Sequence, residues 1–317
     1  MVMGIEQNGE KERIIQYGSI KVHEFGNTIL LSEAQIEEIK KRKKKLGAGV
    51  DGAVYGMDFK TAFKFYHSDS SGIIIPKSKD IKIIYDEDGV NRTSIKEMMK
   101  RTNDRYINPI RFIDSDGVIL GREDAILRAI EKQKDVKLTY LPQKIIKRIT
   151  TEGSIRVVGC AYRRYHTSFS IYAASYHPLM KKRKEIMFKL YVKFKELIDN
   201  NIYPITLVQK DKIHPSSRNG ANVLLTLDLE PLFVDLDGIS AIYTDSFSEY
   251  YYKKALNDFS TLVMEVISGL DYDSDGIQDI EQDIADLVDR QIPYDIARDF
   301  YYEDGFSTEE QVLRLLK

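Results

Sequence analysis

The sequence predicts an α+β chain of two unequal lobes, the first rich in strands and the second rich in helices. Residues 12–31 have the pattern of short strands broken at Gly18 and Gly26, and further β-prone segments follow up to residue 165. The apolar residues of 179–199 instead recur with helical spacing, and nearly everything beyond residue 253 also has a helical pattern. Strands followed by helices, with a strand pair at 222–242 in between, are typical of the α+β class.

Composition narrows the class of protein before any motif is considered. Apolar residues make up 43% of the 317 residues, enough for a sizeable core, and no segment approaches the roughly 18 apolar residues of a membrane span. The N-terminus lacks the apolar run of a secretory signal, and one cysteine, Cys160, excludes an internal disulfide. We therefore expect a cytoplasmic protein with no membrane partner, and the Lys-, Ile- and Tyr-rich composition suggests a bacterial or phage source.

Charge is distributed unevenly along the chain. The net charge is only −2, which argues against a general nucleic-acid-binding role, but residues 271–317 carry 14 acidic and 4 basic side chains. The remaining chain is therefore net basic, and Lys40 to Lys45 form an unbroken basic run. A solvated surface at the entry to a strand is the expected role of this run, with an anionic partner as the alternative.

Local patterns predict most of the elements. Ser32 and Gln35 form a capping box that starts a helix, and residues 45–66 are interpreted as two strands around turns. Further helices are predicted at 93–101, 121–133, 179–199 and 277–290, with two strands within 138–165.

A glycine-rich segment follows the basic run. Gly47, Gly49 and Gly52 give a G-x-G-x-x-G pattern, which alone is weak evidence and also fits a dinucleotide fold. The residues after it remain β-prone, so the glycines bridge two strands and form a flap whose backbone N–H groups can approach phosphates. Val54, two residues past the third glycine, would then pack on an adenine.

A lysine follows on the next predicted strand. Strand alternation places Ala62 and Lys64 on one face beneath the flap, where an ammonium can hold the α- and β-phosphates. An acidic residue on a later helix would orient this lysine. Glu123 is the first choice because Leu127 and Ile130 continue its helix face, and Glu97 is the runner-up.

This constellation resembles the protein kinase family, with its glycine-rich flap, strand lysine and helix glutamate. The resemblance extends from about residue 43 to 270 and implies ATP and Mg²⁺ as ligands, with Asn222 and Asp235 as metal ligands at the family's spacing. It also implies a bilobal fold: an N-terminal extension at 1–42, an N-lobe at 43–162 with an insertion at about 67–120, and a helical C-lobe at 163–317. The implied activity is phosphoryl transfer to a protein or small-molecule hydroxyl.

The sequence departs from the family at the catalytic base. The position five residues before Asn222 is Ser217 rather than aspartate, which leaves Asp211, on an enlarged loop, as the first choice for a base. Asp237 lies two residues after Asp235, and on a strand it would point the same way and serve the metal. No Ala-Pro-Glu motif follows. A pseudokinase that binds nucleotide or acts as a scaffold is therefore the alternative function.

Two further features have less specific interpretations. Asp271 to Gly276 resembles the start of an EF-hand loop, but Gln282 stands where the bidentate glutamate is needed. An Asp-rich turn before the next helix is the preferred interpretation over a Ca²⁺ site. Cys160 lies in an apolar strand, which predicts a buried, inert thiol.

Overall fold

The structure, a computed structural model, divides into two compact units, Met1–Tyr165 and His166–Lys317. The structure describes residues 12–48, 52–66, 82–84, 111–113, 122–136, 138, 140–149, 155–165, 168–204, 222–237, 241–269, 280–302, 306 and 308–317. Strands dominate the first unit and helices the second, which confirms the α+β class predicted from the sequence.

The first unit is built on one eight-stranded sheet and a separate strand pair. Its elements are β1 Glu12–Tyr17, β2 Ile20–Phe25, β3 Thr28–Ser32, α1 Glu33–Arg42, β4 Lys44–Ala48, β5 Gly52–Gly56, β6 Thr61–Tyr66, β7 Lys82–Ile84, β8 Arg111–Ile113, α2 Arg122–Val136, β9 Lys144–Ile149 and β10 Ile155–Arg163. Strands β7 and β8 form the separate pair, and the large sheet has the order β1-β2-β3-β9-β10-β6-β5-β4. Its neighbouring strands are antiparallel except β3 and β9, which are parallel.

Turn chemistry accounts for the start of the sheet. Gly18 connects β1 to β2, and Gly26 connects β2 to β3. Their φ values are +68° and +52°, which residues other than glycine rarely adopt. The predicted capping box is confirmed, since Ser32 Oγ accepts from Gln35 N at 3.3 Å and Gln35 Oε1 accepts from Ser32 N at 2.7 Å. Strands β1 to β3 extend the same sheet that contains β4 to β6.

The segment at 45–66 differs from its prediction. It forms three strands rather than two, because the glycine-rich part is itself a hairpin of β4 and β5. A single run of small residues has no apolar alternation by which a strand break can be located.

The two faces of the sheet pack against different helices. On one face, Ile36 and Ile39 of α1 join a buried cluster that contains Phe63 and Phe65. On the other face, Ile126 and Ile130 of α2 pack against Ile145 and Cys160. Because side chains alternate along β6, Lys64 belongs to the α2 face.

The basic run has internal partners for several of its cations. Lys40 pairs with Glu37 and Arg42 with Glu38, both on α1. The Lys43 ammonium donates to the carbonyls of Tyr17 and Met57 at 2.9 and 3.0 Å. Lys43 therefore joins the ends of two strands.

The second unit contains three short strand pairings and five longer helices among its described residues. Its elements are β11 Ser168–Ser170, a 3₁₀ helix Ile171–Tyr176, α3 Met180–Asp199, β12 Ile202–Pro204, β13 Val223–Thr226, β14 Pro231–Phe233, β15 Ala241–Tyr243, α4 Glu249–Ser268, α5 Ile280–Asp289, α6 Tyr294–Tyr302 and α7 Glu309–Leu316. The strands pair as β11-β13-β14 and β12-β15.

The core of this unit lies between α3 and α4. The apolar spacing predicted for α3 is confirmed, since Leu190, Phe194 and Leu197 are all buried, and Phe194 stacks on Phe259 of α4 with ring centroids 4.4 Å apart. Gly269, with φ +73°, caps the C-terminus of helix α4, and its N–H donates to the carbonyl of Glu265.

The C-terminal helix α7 is held by a carboxylate network. Glu309 accepts from the hydroxyls of Tyr191 and Tyr252 at 2.6 and 3.0 Å, and Lys195 lies 3.4 Å away. Burial desolvates Glu309 and raises its pKa, but these hydrogen bonds and the lysine charge outweigh it, so the pKa of Glu309 lies below its usual value. Glu309 is also in the first turn of α7, where a negative charge is favoured by the helix dipole.

Among the described residues, no helix is long and apolar enough to cross a membrane.

Candidate functional site

Three of the residues predicted to bind nucleotide lie in one row across the first unit's sheet. The strand register pairs Gly47 with Val54, Val54 with Lys64, and Lys64 with Cys160. Directly paired residues of antiparallel strands share a face, so all four are on the face that α2 covers. With strands about 4.8 Å apart, the row places Gly47 about 10 Å from Lys64 along the sheet.

Exposure changes steadily along this row. Cys160 is fully buried and Lys64 is 3% exposed, whereas Val54 is half-buried and Gly47 is exposed. The row therefore runs from the core beneath α2 to the outer strand β4. A ligand lying over Gly47 and Val54 would have its inner end at the Lys64 ammonium.

Lys64 is held in a defined place although it is a buried cation. Its Nζ lies 5.4 Å from the ring centroid of Tyr66, the next residue on the same face of β6. The Tyr66 hydroxyl donates to Cys160 Sγ at 3.4 Å. The thiol is buried as predicted from the sequence.

Glycines of the two neighbouring strands lie against the backbone of residues 64–66 of β6. A Cβ at Gly52 would lie 2.2 Å from the carbonyl oxygen of Phe65, and a Cβ at Gly159 would lie 2.0 Å from the carbonyl oxygen of Lys64. Both positions therefore require glycine. Gly159 also follows an irregularity in the register of β10, between Val157 and Gly159. Sequence reasoning missed Gly159, although a glycine inside a strand pattern is a signal of close backbone approach.

Gly47 differs from Gly52 and Gly159 in the space around its Cα. A Cβ there would meet no heavy atom within 4 Å. The structure provides no steric reason for glycine at this position, which leaves open space above the outer end of the row.

Helix α2 contains the predicted partner of Lys64. Glu123 is the second residue of α2 and stands three residues before Ile126, which is buried against the Lys64 face. The side chain of Glu123 lies outside the described residues, as does all of Glu97. The Lys64–Glu123 pair thus stays a prediction.

In the second unit, the predicted metal ligands lie at the open end of the β13–β14 hairpin. Val223 pairs with Phe233, and Val234 N donates to the carbonyl of Asn222 at 2.9 Å. Asp235 follows directly, so the hairpin places it next to Asn222 in the fold although twelve residues separate them in the sequence.

Asp235 adopts a left-handed backbone with φ +66°. This conformation is uncommon for a residue other than glycine, although aspartate tolerates it better than most. Such residues are frequent at functional sites, where the surrounding fold holds them. Here the Tyr243 hydroxyl donates to the carbonyl of Leu236 at 2.6 Å and fixes the following turn.

The sequence-based prediction for Asp237 is wrong in its geometry. Strand β14 ends at Phe233, and Leu236 and Asp237 form a turn. Because Asp235 is left-handed and no strand continues, the alternation that would point Asp235 and Asp237 the same way does not apply. Asp237 is fully buried, whereas Asp235 is half-buried.

The donor chemistry at Asn222 and Asp235 fits Mg²⁺. Amide and carboxylate oxygens are hard ligands, and Mg²⁺ is usually bound by one or two carboxylates together with substrate phosphates rather than by a complete protein cage. In the part of the chain that the structure describes, no three or more His, Cys, Asp or Glu residues form a group that could hold a metal ion.

Several predicted positions lie outside the described residues. They are Gly49 in the flap, the proposed base Asp211, Ser217 at the family's base position, the helix at 93–101, and the segment from Asp271 to Gly276. Their roles stay predictions.

Comparison with solved structures finds 20 chains that match this one, among them a pseudokinase. A solved structure of a pseudokinase in its apo form matches over 90% of this chain and 95% of that chain, with 11% sequence identity and a TM-score of 0.41. No model of a known protein family matches the sequence. A search of curated proteins also gives no match.

Proposed function

We propose that this chain is a divergent protein-kinase-like protein that binds Mg·ATP and transfers a phosphoryl group to a hydroxyl on a protein or a small molecule. The observation that carries the proposal is the row of Gly47, Val54 and Lys64 on one sheet face. Counted from the glycine-rich strand, β6 is the third strand, and it is followed by helix α2 on the same face. A lysine on the third strand, followed by a helix with a glutamate, is the protein kinase arrangement.

Each predicted site residue would have a separate role in binding Mg·ATP. Backbone N–H groups of the flap approach the phosphates, Val54 packs on the adenine, and the Lys64 ammonium binds the α- and β-phosphates. The oxygens of Asn222 and Asp235 would hold Mg²⁺, and the ion would supply positive charge opposite the phosphates. Phosphoryl transfer depends mainly on such positioning and electrostatics.

The acceptor hydroxyl needs a group that takes its proton or orients its lone pair. Asp211 is the proposed base, because Asp237 is buried in the turn after Asp235. Ser217 at the family's usual position of the base favours a second candidate function, that of a pseudokinase which binds nucleotide without transfer.

Nucleotide binding is tested first, by thermal unfolding with and without Mg·ATP. At a ligand concentration of about 100 times Kd, binding adds about 2.7 kcal/mol to the free energy of unfolding, or roughly 5 to 10 °C in Tm. Lys64→Ala and Asp235→Ala should each remove most of this shift. The matched controls Lys60→Ala and Asp228→Ala change exposed residues on the hairpins of the same strands and should keep it. Absence of any shift in the wild type at millimolar ATP rejects the nucleotide proposal.

Transfer is tested next, with radiolabelled ATP. Label transfer that is lost in Lys64→Ala supports the enzyme. Asp211→Asn should then lower transfer sharply with nearly unchanged ATP affinity, since a base acts in the transition state rather than in nucleotide binding. Undiminished transfer in this variant rejects the role of Asp211. Binding of Mg·ATP with no transfer to any acceptor supports the pseudokinase.

A further inference from the structure

The ammonium of Lys64 lies in an environment that no pattern in the sequence indicated. Lys64 is 3% exposed, and a buried ammonium requires groups that compensate for its lost hydration. The ring of Tyr66 is one of these groups, with its centroid 5.4 Å from Nζ. An aromatic face at this distance attracts a cation through its quadrupole, and more strongly where water is excluded.

The ring of Tyr66 is itself fixed on both sides. Its hydroxyl donates to the buried Sγ of Cys160 on β10. The ring packs with Leu127 of α2 and Val157 of β10 around the cluster formed by Ile126, Ile130, Ile145 and Cys160. Helix α2 and strand β10 therefore define where the ring lies, and the ring in turn limits where the ammonium can lie.

The positions of Lys64 and Tyr66 on one strand also favour the contact between the ring and the ammonium. Lys64 and Tyr66 are two residues apart on one strand, so their side chains leave the same face of β6. The backbone at this point is enclosed by Gly52 and Gly159, whose missing Cβ atoms allow close approach of β5 and β10. The backbone and the ring together set the ammonium at the inner end of the row that contains Gly47 and Val54.

We propose that Tyr66 is a positioning residue for Lys64: its ring, fixed by α2 and Cys160, holds the ammonium where the phosphates of a nucleotide bind. The effect on nucleotide affinity rests on the function proposed above, whereas the effect on the Lys64 side chain does not. The ring itself touches no reacting atom and acts only through Lys64.

The experiment compares the full-length wild type with three variants. Tyr66→Leu removes the ring, and Tyr66→Phe keeps the ring but removes the hydrogen bond to Cys160. Tyr55→Leu is the matched control, because Tyr55 is another tyrosine of this sheet but is buried on the α1 face. The first readout is the rate at which acetic anhydride acetylates Lys64 without nucleotide, measured by mass spectrometry. The second is the Kd for Mg·ATP, measured by calorimetry.

In Tyr66→Leu, acetylation of Lys64 should be roughly 3- to 30-fold faster, the range that corresponds to loss of one partly or fully desolvated cation–π contact. ATP affinity should fall in the same variant. Tyr66→Phe and Tyr55→Leu should stay within about twofold of the wild type in both readouts, since both keep the ring beneath Lys64. An unchanged acetylation rate in Tyr66→Leu, or an equal increase in Tyr55→Leu, overturns the proposal.

If Tyr66→Leu does not fold, pentafluorophenylalanine at position 66 replaces it. This residue keeps the size of the ring and reverses the sign of its quadrupole, so it should accelerate acetylation of Lys64 while packing is preserved. An unchanged rate would overturn the proposal in this form also. If the wild type binds no ATP, the proposed function fails, but acetylation still decides the role of Tyr66. If ATP binds and acetylation does not respond, only the role of Tyr66 fails.

Discussion

Replacement of Gly159 by alanine should destabilise the first unit and displace Lys64. A Cβ at this position would lie 2.0 Å from the carbonyl oxygen of Lys64 and 3.1 Å from its carbonyl carbon. Carbon and oxygen atoms in contact lie about 3.3 Å apart, so the two strands must separate by roughly 1 Å. Forcing an extra methyl into a packed site costs about 1 to 3 kcal/mol, and we expect the upper end because the obstacle is backbone.

The assay is thermal and urea unfolding without nucleotide, with Gly47→Ala as the matched control. A loss of about 3 kcal/mol in a unit of this size lowers Tm by roughly 6 to 12 °C. Gly47→Ala adds the same methyl where no heavy atom lies within 4 Å, and should stay within about 0.5 kcal/mol of the wild type. If both variants unfold at the same urea concentration, the close approach of β10 to Lys64 is not a constraint on this fold and the reasoning is refuted.

Three further predictions concern other parts of the molecule. Glu309→Gln should cost about 1 to 3 kcal/mol at pH 7, because hydrogen bonds to a charged group are lost. The folded-state pKa of Glu309 is lowered, so its contribution is present above the unfolded pKa of about 4.3 and lost as pH falls through the folded value. The urea midpoints of the wild type and Glu309→Gln should therefore converge in acid. The control Glu310→Gln changes an exposed neighbour and should match the wild type at every pH. A difference in midpoint between the wild type and Glu309→Gln that persists at low pH contradicts this prediction. Asp235→Gly should leave the free energy of unfolding unchanged or raise it by up to about 1 kcal/mol, because glycine adopts φ +66° without strain, and it should abolish the Tm shift caused by Mg·ATP. Asp228→Gly is its control, and a clear loss of stability in Asp235→Gly would count against a strained ligand. Glu123→Gln should weaken Mg·ATP binding measured by calorimetry and Glu97→Gln should not, and the reverse result would move the partner of Lys64 to Glu97.

The sequence alone determined the elements whose signals are local. The capping box of Ser32 and Gln35, the turn glycines Gly18 and Gly26, and the helical spacing of α3 each depend on residues within a few positions of one another. Local hydrogen bonds, backbone freedom and apolar periodicity decide such features without reference to the rest of the chain. The order of strands and helices then sufficed to predict the α+β class.

Part of the candidate site could also be predicted, because its chemistry is concentrated in short segments. The glycine-rich flap and Lys64 are close in sequence, and strand alternation predicted that Ala62 and Lys64 share a face. The burial of Phe63 and Phe65 in the cluster on the other face agrees with this prediction. The same rule failed at Asp235 and Asp237, because it assumes a continuous strand and β14 ends at Phe233.

Only the tertiary structure determined what surrounds Lys64. Tyr66 and Cys160 are 94 residues apart in the sequence, and neither has a pattern that predicts their hydrogen bond. Gly159 stands beside Lys64 only because β10 pairs with β6, and that pairing depends on the packing of the whole sheet rather than on any local propensity. Register between distant strands is set by which faces become buried, and a sequence taken segment by segment does not contain that information.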